Sequence, residues 1–288
     1  MVGSKDTRFA YSLIAPALLV ILLMLGYPLV LAFMQSFTES TVREPDGPFI
    51  GIEHYIDAFQ DPIFLGSMGR SLIFVAFSLG VAFLSGLIIA LLLNRAIPGR
   101  GLLRTLVIFP FVVSEVSVGV IWQWLFAPEL GVINSILTTL SLPSIRWLSS
   151  PVWAMVSVIA ANAWRLTPFP VLILLSGLQS IDNTYYEVAR IDGASAWQTF
   201  LKITFPLIKP MALISIVYLS FASFNQFATI FSLTGGGPGE STEVMALYMY
   251  AMAFENFNWG YGSALAIILF IINVVLSATY SKIFESRD

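Results

Sequence analysis

Glu187-Val-Ala-Arg-Ile-Asp-Gly-Ala-Ser-Ala-Trp-Gln-Thr-Phe-Leu-Lys-Ile-Thr-Phe-Pro206 is the one long polar-rich stretch that interrupts an otherwise membrane-like sequence in the second half of the chain. Just before it, Asp182, Asn183 and Thr184 offer side-chain oxygens that can cap a helix N-terminus, and residues 185–191 form a short helical pattern. Gly193 ends that helix, since glycine enters the left-handed region without steric cost. Ser195 caps a second short helix predicted to run through Lys202. Pro206 is expected to close it ahead of the next apolar run. Two short helices meeting at a glycine make a compact knob that a partner protein can grip.

Composition sets the surroundings of this knob. Of 288 residues, 57% are hydrophobic and 11% charged, against about 25% charged in an ordinary soluble domain. The net charge of −3 is too small to argue for nucleic acid or for an acidic partner. The absence of cysteine excludes disulfides and thiolate metal sites. The single histidine, His54, cannot build a histidine-rich metal site.

Upstream, Lys5 and Arg8 precede an apolar run over 9–37. It is too long for a signal-peptide core and has no small-residue cleavage site, so it reads as an uncleaved span. Pro16 and Pro28 are tolerated there because neighbouring helices can satisfy the freed backbone groups. Residues 38–69, punctuated by Pro45-Asp-Gly-Pro48, read as a water-exposed loop with His54 at its surface. Further spans are read over 71–93, 105–126, 151–178, 207–231 and 260–284, each near or above the ~20 residues that cross ~30 Å of hydrocarbon. The expected fold is all-α: a polytopic membrane protein with six transmembrane helices, forming a single domain over 1–288.

Basic residues orient the spans. Lys5, Arg8, Arg95, Arg100, Arg104, Arg190, Lys202, Lys209, Lys282 and Arg287 fall on one side, and Arg43, Arg70 and Arg146 on the other. The positive-inside rule places both termini and the 187–206 knob in the cytoplasm. Glu115 and Arg165 lie midway along the third and fourth predicted spans, where charge is costly. An ion pair tying two helices and a shared polar cavity are both open readings. Trp122, Trp124, Trp147 and Trp153 cluster toward the outer ends of those spans, where indole prefers the headgroup region. Asn225 and Gln226 read as helix-packing polar residues as readily as pocket residues.

Glu187-x-Ala189-x-x-Asp192-Gly193-Ala194, followed by Phe200, Ile203 and Pro206, resembles the cytoplasmic coupling loop of ABC importer membrane subunits. Val188 stands where alanine is usual in that family and Phe205 where leucine is usual; both keep apolar character. The resemblance implies that Glu187, Ala189, Arg190, Asp192, Gly193, Ala194, Phe200, Ile203 and Pro206 seat in a groove of a partner ATPase and pass its motion to the helices. Gly51-Ile-Glu-His-Tyr55 resembles the segment after the first span of sugar permeases, with His54 in place of asparagine. Leu233-Thr-Gly-Gly-Gly-Pro238 is no phosphate cradle, because no Gly-Lys-Ser/Thr follows it. It resembles the external loop before the last span of carbohydrate-type ABC permeases. By that resemblance Gly235, Gly236, Gly237 and Pro238 face a solute-binding protein. The likeness covers essentially the whole chain and points to the maltose and glycerol-phosphate permease group of type I importers.

The same resemblance implies a solute pocket of Phe111, Glu115, Asn162, Arg165, Phe169 and Ser223. Asparagine, serine and charged groups bond hydroxyls, and aromatic faces stack on sugar rings. Glu115 and Arg165 are charged where the maltose subunit is neutral, leaving an anionic, amino or polyol-type solute open. The implied partners are a second, homologous permease subunit, two ATPase subunits carrying the ATP and Mg, and an extracytoplasmic solute-binding protein. The setting is the cytoplasmic membrane of a bacterium or archaeon, and no cofactor is expected on this chain. Two rivals compete. An intramembrane enzyme would need a catalytic constellation, and the sequence has no Gly-x-Ser-x-Gly or His-Glu-x-x-His. A secondary transporter or channel would need no docking knob and more often shows internal repeats with broken helices, which the sequence does not display.

Overall fold

The computed structural model describes residues 14–95 and 98–285. Lys5, Arg8 and Arg287, used above for orientation, lie outside the described residues. Helix dominates; the extended pairings found among the described residues are isolated bridges, Thr38 with Phe49 and Thr41 with Asn258.

Four helices are long and apolar enough to cross a bilayer. They are α1 (Ile14–Gln35), α3 (Pro62–Asn94), α10 (Ala196–Phe224) and the Trp259–Tyr280 part of α13 (Trp259–Glu285). Two more candidates are bent pairs. One is α4 (Arg100–Val112) with α5 (Glu115–Leu125), bent by 103°; the other is α7 (Pro151–Leu166) with α8 (Pro168–Ser180), bent by 42°. The remaining helices are short: α2 (Glu53–Gln60), α6 (Val132–Thr139), α9 (Asn183–Ile191), α11 (Ala228–Leu233) and α12 (Met245–Tyr250). The count therefore runs from four spans to six, according to whether each bent pair crosses as one.

The differences from the sequence reading have local causes. The helix predicted over 71–93 begins at Pro62, and at 33 residues it is about 50 Å long, longer than the hydrocarbon is thick. Its first turns therefore lie in the region read as loop. Ser67, Ser71, Ser78, Ala82, Gly86 and Ala90 form its buried stripe; small side chains at this spacing let neighbouring helices approach closely. The third predicted span is not one helix. Pro110 cannot donate inside α4, Val113 is extended at ψ 132°, and Ser114 starts a new helix by accepting from the Ser117 N–H. In the fourth, Pro168 and Pro170 weaken the ladder at Thr167, whose hydroxyl donates back to Ala163 O at 2.7 Å.

Pro206 does not close the helix after the knob. Residues Phe200–Thr204 widen into a π turn, and the Phe205 N–H donates five residues back to Phe200 O. Proline, which has no N–H, fits the first turn of the α-helical stretch that resumes there. The helix then ends at Phe224, where Asn225 Nδ2 donates to Phe221 O at 2.8 Å. The predicted 207–231 span is thus broken at 225–227.

The described chain falls into two compact units. The smaller is built from the residues up to Pro62 together with Met249–Phe270. In it α1 is unburied along its apolar window, as suits a helix facing lipid or another chain. His54, expected at the surface, is only 6% exposed. Its Nε2 lies 3.1 Å from Thr38 O, and its ring meets the edge of Tyr261. The helical fold of 53–60 places His54 and Ala58 on one inward face. In the larger unit, Ile63–Tyr248 with the residues from Ile271, a core of Ala90, Leu93, Leu174, Leu178, Ile208 and Ala212 joins α3, α8 and α10. Ala82, Ala163, Leu166 and Leu219 continue it toward the polar cluster described next.

Candidate functional site

Both charged residues singled out inside the spans sit at helix ends that the sequence did not reveal. Glu115 is the first residue of α5, and Arg165 lies in the last turn of α7. A carboxylate at a helix N-terminus and a cation at a C-terminus are each favoured by the helix dipole. Arg165 Nη2 meets Glu115 Oε1 at 2.6 Å, with 11% of the arginine and 41% of the glutamate side chain exposed. The same Nη2 donates to Gln226 Oε1 at 3.3 Å. Three residues earlier on each side, Asn162 Nδ2 donates to Ser223 Oγ at 3.1 Å. The two rungs join α7 to the end of α10, one helical turn apart.

The rungs leave bonding capacity over. Asn162 Oδ1, Arg165 Nε and Gln226 Nε2 are buried with no protein partner among the described residues. An orphaned buried polar atom costs on the order of 1–3 kcal/mol, and one acceptor and two donors of this kind are gathered here. The break between α4 and α5 is held by close packing of α5 on α11. A Cβ on Gly119 would collide with Ser232 Oγ, and Thr229 Oγ1 donates to Glu115 O at 3.1 Å.

The structure thus brings together four of the six residues expected in the pocket: Glu115, Asn162, Arg165 and Ser223. Phe169 lies one turn beyond Arg165, stacked on Tyr218 with ring centroids 3.7 Å apart. Phe111 lies across the bend on α4, 39% exposed, and makes no ring contact among the described residues. Gln226, left undecided by the sequence, is 1% exposed and belongs to the ladder. Its signal was weak: a glutamine beside an asparagine, with the helix end between them invisible.

At the opposite end of α8, Asp182 caps α9 and accepts from the Thr184 N–H at 2.9 Å. That bond, with a second from the Thr184 hydroxyl, holds the Asp182 carboxyl below its ordinary value. The cap is therefore in place at neutral pH and is lost as pH falls through that lowered range. Gly193 has φ +69°, and Ala194 N–H reaches back to Ala189 O at 2.9 Å. Ser195 and Gln198 form a reciprocal capping box. Ala189 is buried, and Tyr186 Oη lies 3.3 Å from Thr204 Oγ1, tying the knob to α10.

Glu187, Arg190, Asp192 and Pro206 are exposed, while Ala194, Phe200 and Ile203 are half-buried. Beside them Ile191 is 84% exposed and Trp197 68%, with Val188 and Tyr185 also out. Only the tertiary placement shows that these apolar side chains have no core to enter.

The Gly-rich loop is more ordered than a flexible turn. Thr242 Oγ1 lies 2.7 Å from Thr234 Oγ1 and donates to Gly237 O at 3.0 Å, and the Thr242 N–H bonds Gly236 O. Gly236 is buried, Gly237 and Pro238 half-buried and Gly235 exposed. Arg70 on α3 donates through Nε to Glu243 O at 2.8 Å and lies near the Glu240 and Glu243 carboxylates. Of the tryptophans read as a belt, Trp124 and Trp153 are exposed. Trp122 and Trp147 instead pack on Phe126, and Trp147 Nε1 donates to Asn134 Oδ1.

Long apolar helices around a polar ladder, with an exposed knob at the far end of α8, define a membrane-embedded protein. Residues 82–287 match the model of the binding-protein-dependent transport system inner membrane component family, and the chain belongs to that family. It is 32% identical over 284 residues to the sulfoquinovosyl glycerol transport system permease of Agrobacterium fabrum, covering 98% of this chain and 92% of that protein. It is also 32% identical over 286 residues to the trehalose/maltose transport system permease of Thermococcus litoralis, covering 98% and 96%. A crystal structure of a bacterial alginate ABC transporter, in complex with an alginate pentasaccharide-bound periplasmic protein, aligns with TM-score 0.81 at 25% identity, covering 96% and 93%. The chain is the multi-pass permease subunit of a binding-protein-dependent ABC importer, and ATP hydrolysis resides on a separate subunit.

Proposed function

We propose that this permease forms half of the translocation pathway for a sugar or sugar derivative. It pairs with a second, homologous permease subunit and two ATPase subunits, which bring the ATP and Mg; the chain holds no cofactor of its own. All of 1–288 serves as one transmembrane domain of six spans, with both termini cytoplasmic in a bacterial or archaeal membrane. The knob over 187–206 docks the ATPase through Glu187, Arg190, Asp192 and the exposed Ile191 and Trp197, with Gly193 setting its shape. The observation that carries the solute reading is the set of buried, unpaired atoms on Asn162, Arg165 and Gln226. A sugar hydroxyl both donates and accepts, so a polyol satisfies all three at once. The Glu115–Arg165 pair is neutral as a unit, which favours an uncharged polyol over an anion. Phe169 on Tyr218 supplies an aromatic face for a sugar ring.

The test is ATP hydrolysis by the importer, co-purified with its own binding protein and presented with a panel of neutral sugars, uronic acids and amino acids. Stimulation by a neutral sugar or polyol supports the reading; stimulation by amino acids alone sinks it. A second expectation concerns the external loop. Arg70→Ala removes the bond to Glu243 O and should lower binding-protein-stimulated hydrolysis tenfold or more, the factor to which the roughly 1.5–3 kcal/mol of a charged hydrogen bond converts. The basal rate should persist. Unchanged stimulation would mean that the loop takes no part in receiving the binding protein.

A further inference from the structure

Arg100 and Arg104, one turn apart on α4, serve neither the ladder nor the external loop. In the amide orientation that satisfies its neighbours, Gln179 Oε1 accepts from both guanidinium groups, at 2.6 Å from Arg104 Nη2. The Nε atoms of both arginines are buried with no protein partner among the described residues. Neither arginine has a salt bridge there. The two face a polar recess of about 460 Å³, completed by Asn94, Asn183 and Tyr186 and containing no carboxylate. Arg104 and Gln179 also form one end of an adjoining apolar groove of about 220 Å³, lined by Leu93, Val107, Ile108, Leu172 and Leu175.

Two positive charges held together by a neutral amide have no counter-ion among the described residues, and the geometry of paired arginines suits the oxygens of a phosphate. An apolar groove opening directly from a basic recess between helices is the shape of a headgroup with a chain attached. We propose that this two-part site holds an anionic phospholipid, with its phosphate on Arg100 and Arg104 and one acyl chain along α4 and α8. Asn183 and Tyr186 belong to α9, so the bound lipid braces the knob against the start of α4. The inference requires the membrane setting but does not depend on which solute is carried.

The experiment is native mass spectrometry of the intact, detergent-purified importer titrated with phosphatidylglycerol, with phosphatidylcholine or with inorganic phosphate. Phosphatidylglycerol should be retained roughly thirtyfold more than phosphatidylcholine, the increment expected for two arginines near an anionic lipid. Two variants carry the test, Arg100→Gln/Arg104→Gln and Gln179→Glu. The second places a carboxylate between the arginines and fills the anion position from within, so it keeps the packing that the double variant removes. Loss of the preference in Gln179→Glu supports the site. Equal retention of the two lipids, or a preference that survives Gln179→Glu, overturns it. Displacement of phosphatidylglycerol by millimolar phosphate, with phosphate itself retained, assigns the recess to a free anion and overturns the lipid.

Discussion

Replacing Gly193 with proline should abolish binding-protein-stimulated uptake while leaving the membrane helices folded. Gly193 sits at φ +69°, whereas proline is locked near −65°, and its N–H, which donates to Arg190 O at 3.2 Å, would be gone. The misfit costs about 3 kcal/mol or more, enough to depopulate the native knob roughly 100-fold. Helices α9 and α10 meet through the short turn 192–195 that Gly193 shapes, so their exposed face, with Ile191 and Trp197, would no longer be presented as a unit. Core contacts among α3, α8 and α10 lie beyond it and are untouched. Detergent-purified variant should therefore melt as the native chain does but neither hold the ATPase nor import solute. Full ATP-driven uptake by Gly193→Pro in proteoliposomes would falsify the coupling role.

Arg165→Ala should weaken uptake by about 5- to 30-fold at limiting solute. Removing one member of a fully buried pair costs about 3–5 kcal/mol. Glu115 is 41% exposed and partly solvated without its partner, which brings the expectation down to about 1–2 kcal/mol. Gln226 loses its contact in the same step. Glu115→Gln keeps an acceptor for Arg165 and should cost less. If the pair lines the pathway, solute preference or apparent affinity shifts while ATPase docking survives. A lowered melting temperature with unaltered uptake kinetics would return both residues to a purely structural role.

The knob was legible because its determinants are local. An acidic cap, a glycine in the left-handed region and a serine cap act over three or four residues, and the structure reproduces each of them. The apolar runs were legible for a similar reason: burying a backbone in hydrocarbon demands helices of a set length. His54 was misplaced because its burial depends on Thr38 and Tyr261, partners far away in sequence.

Helix breaks were the least legible feature. Hydropathy over 105–126 and 207–231 is the same for a straight span as for a bent one. Pro110 only weakens its helix, and Pro206 breaks nothing, because a π turn absorbs it. The bend at 113–114 is settled by packing, with Gly119 admitting Ser232 and Thr229. By itself the sequence determined an all-helical membrane protein, its capped polar knob and the residue types of the polar ladder, since composition and short-range caps encode these directly. The tertiary structure alone decided that Glu115 starts a helix, that Arg165 ends one, and that Gln226 joins them. Those positions follow from contacts between residues 50 to more than 100 apart, and no local pattern records which distant helix will arrive.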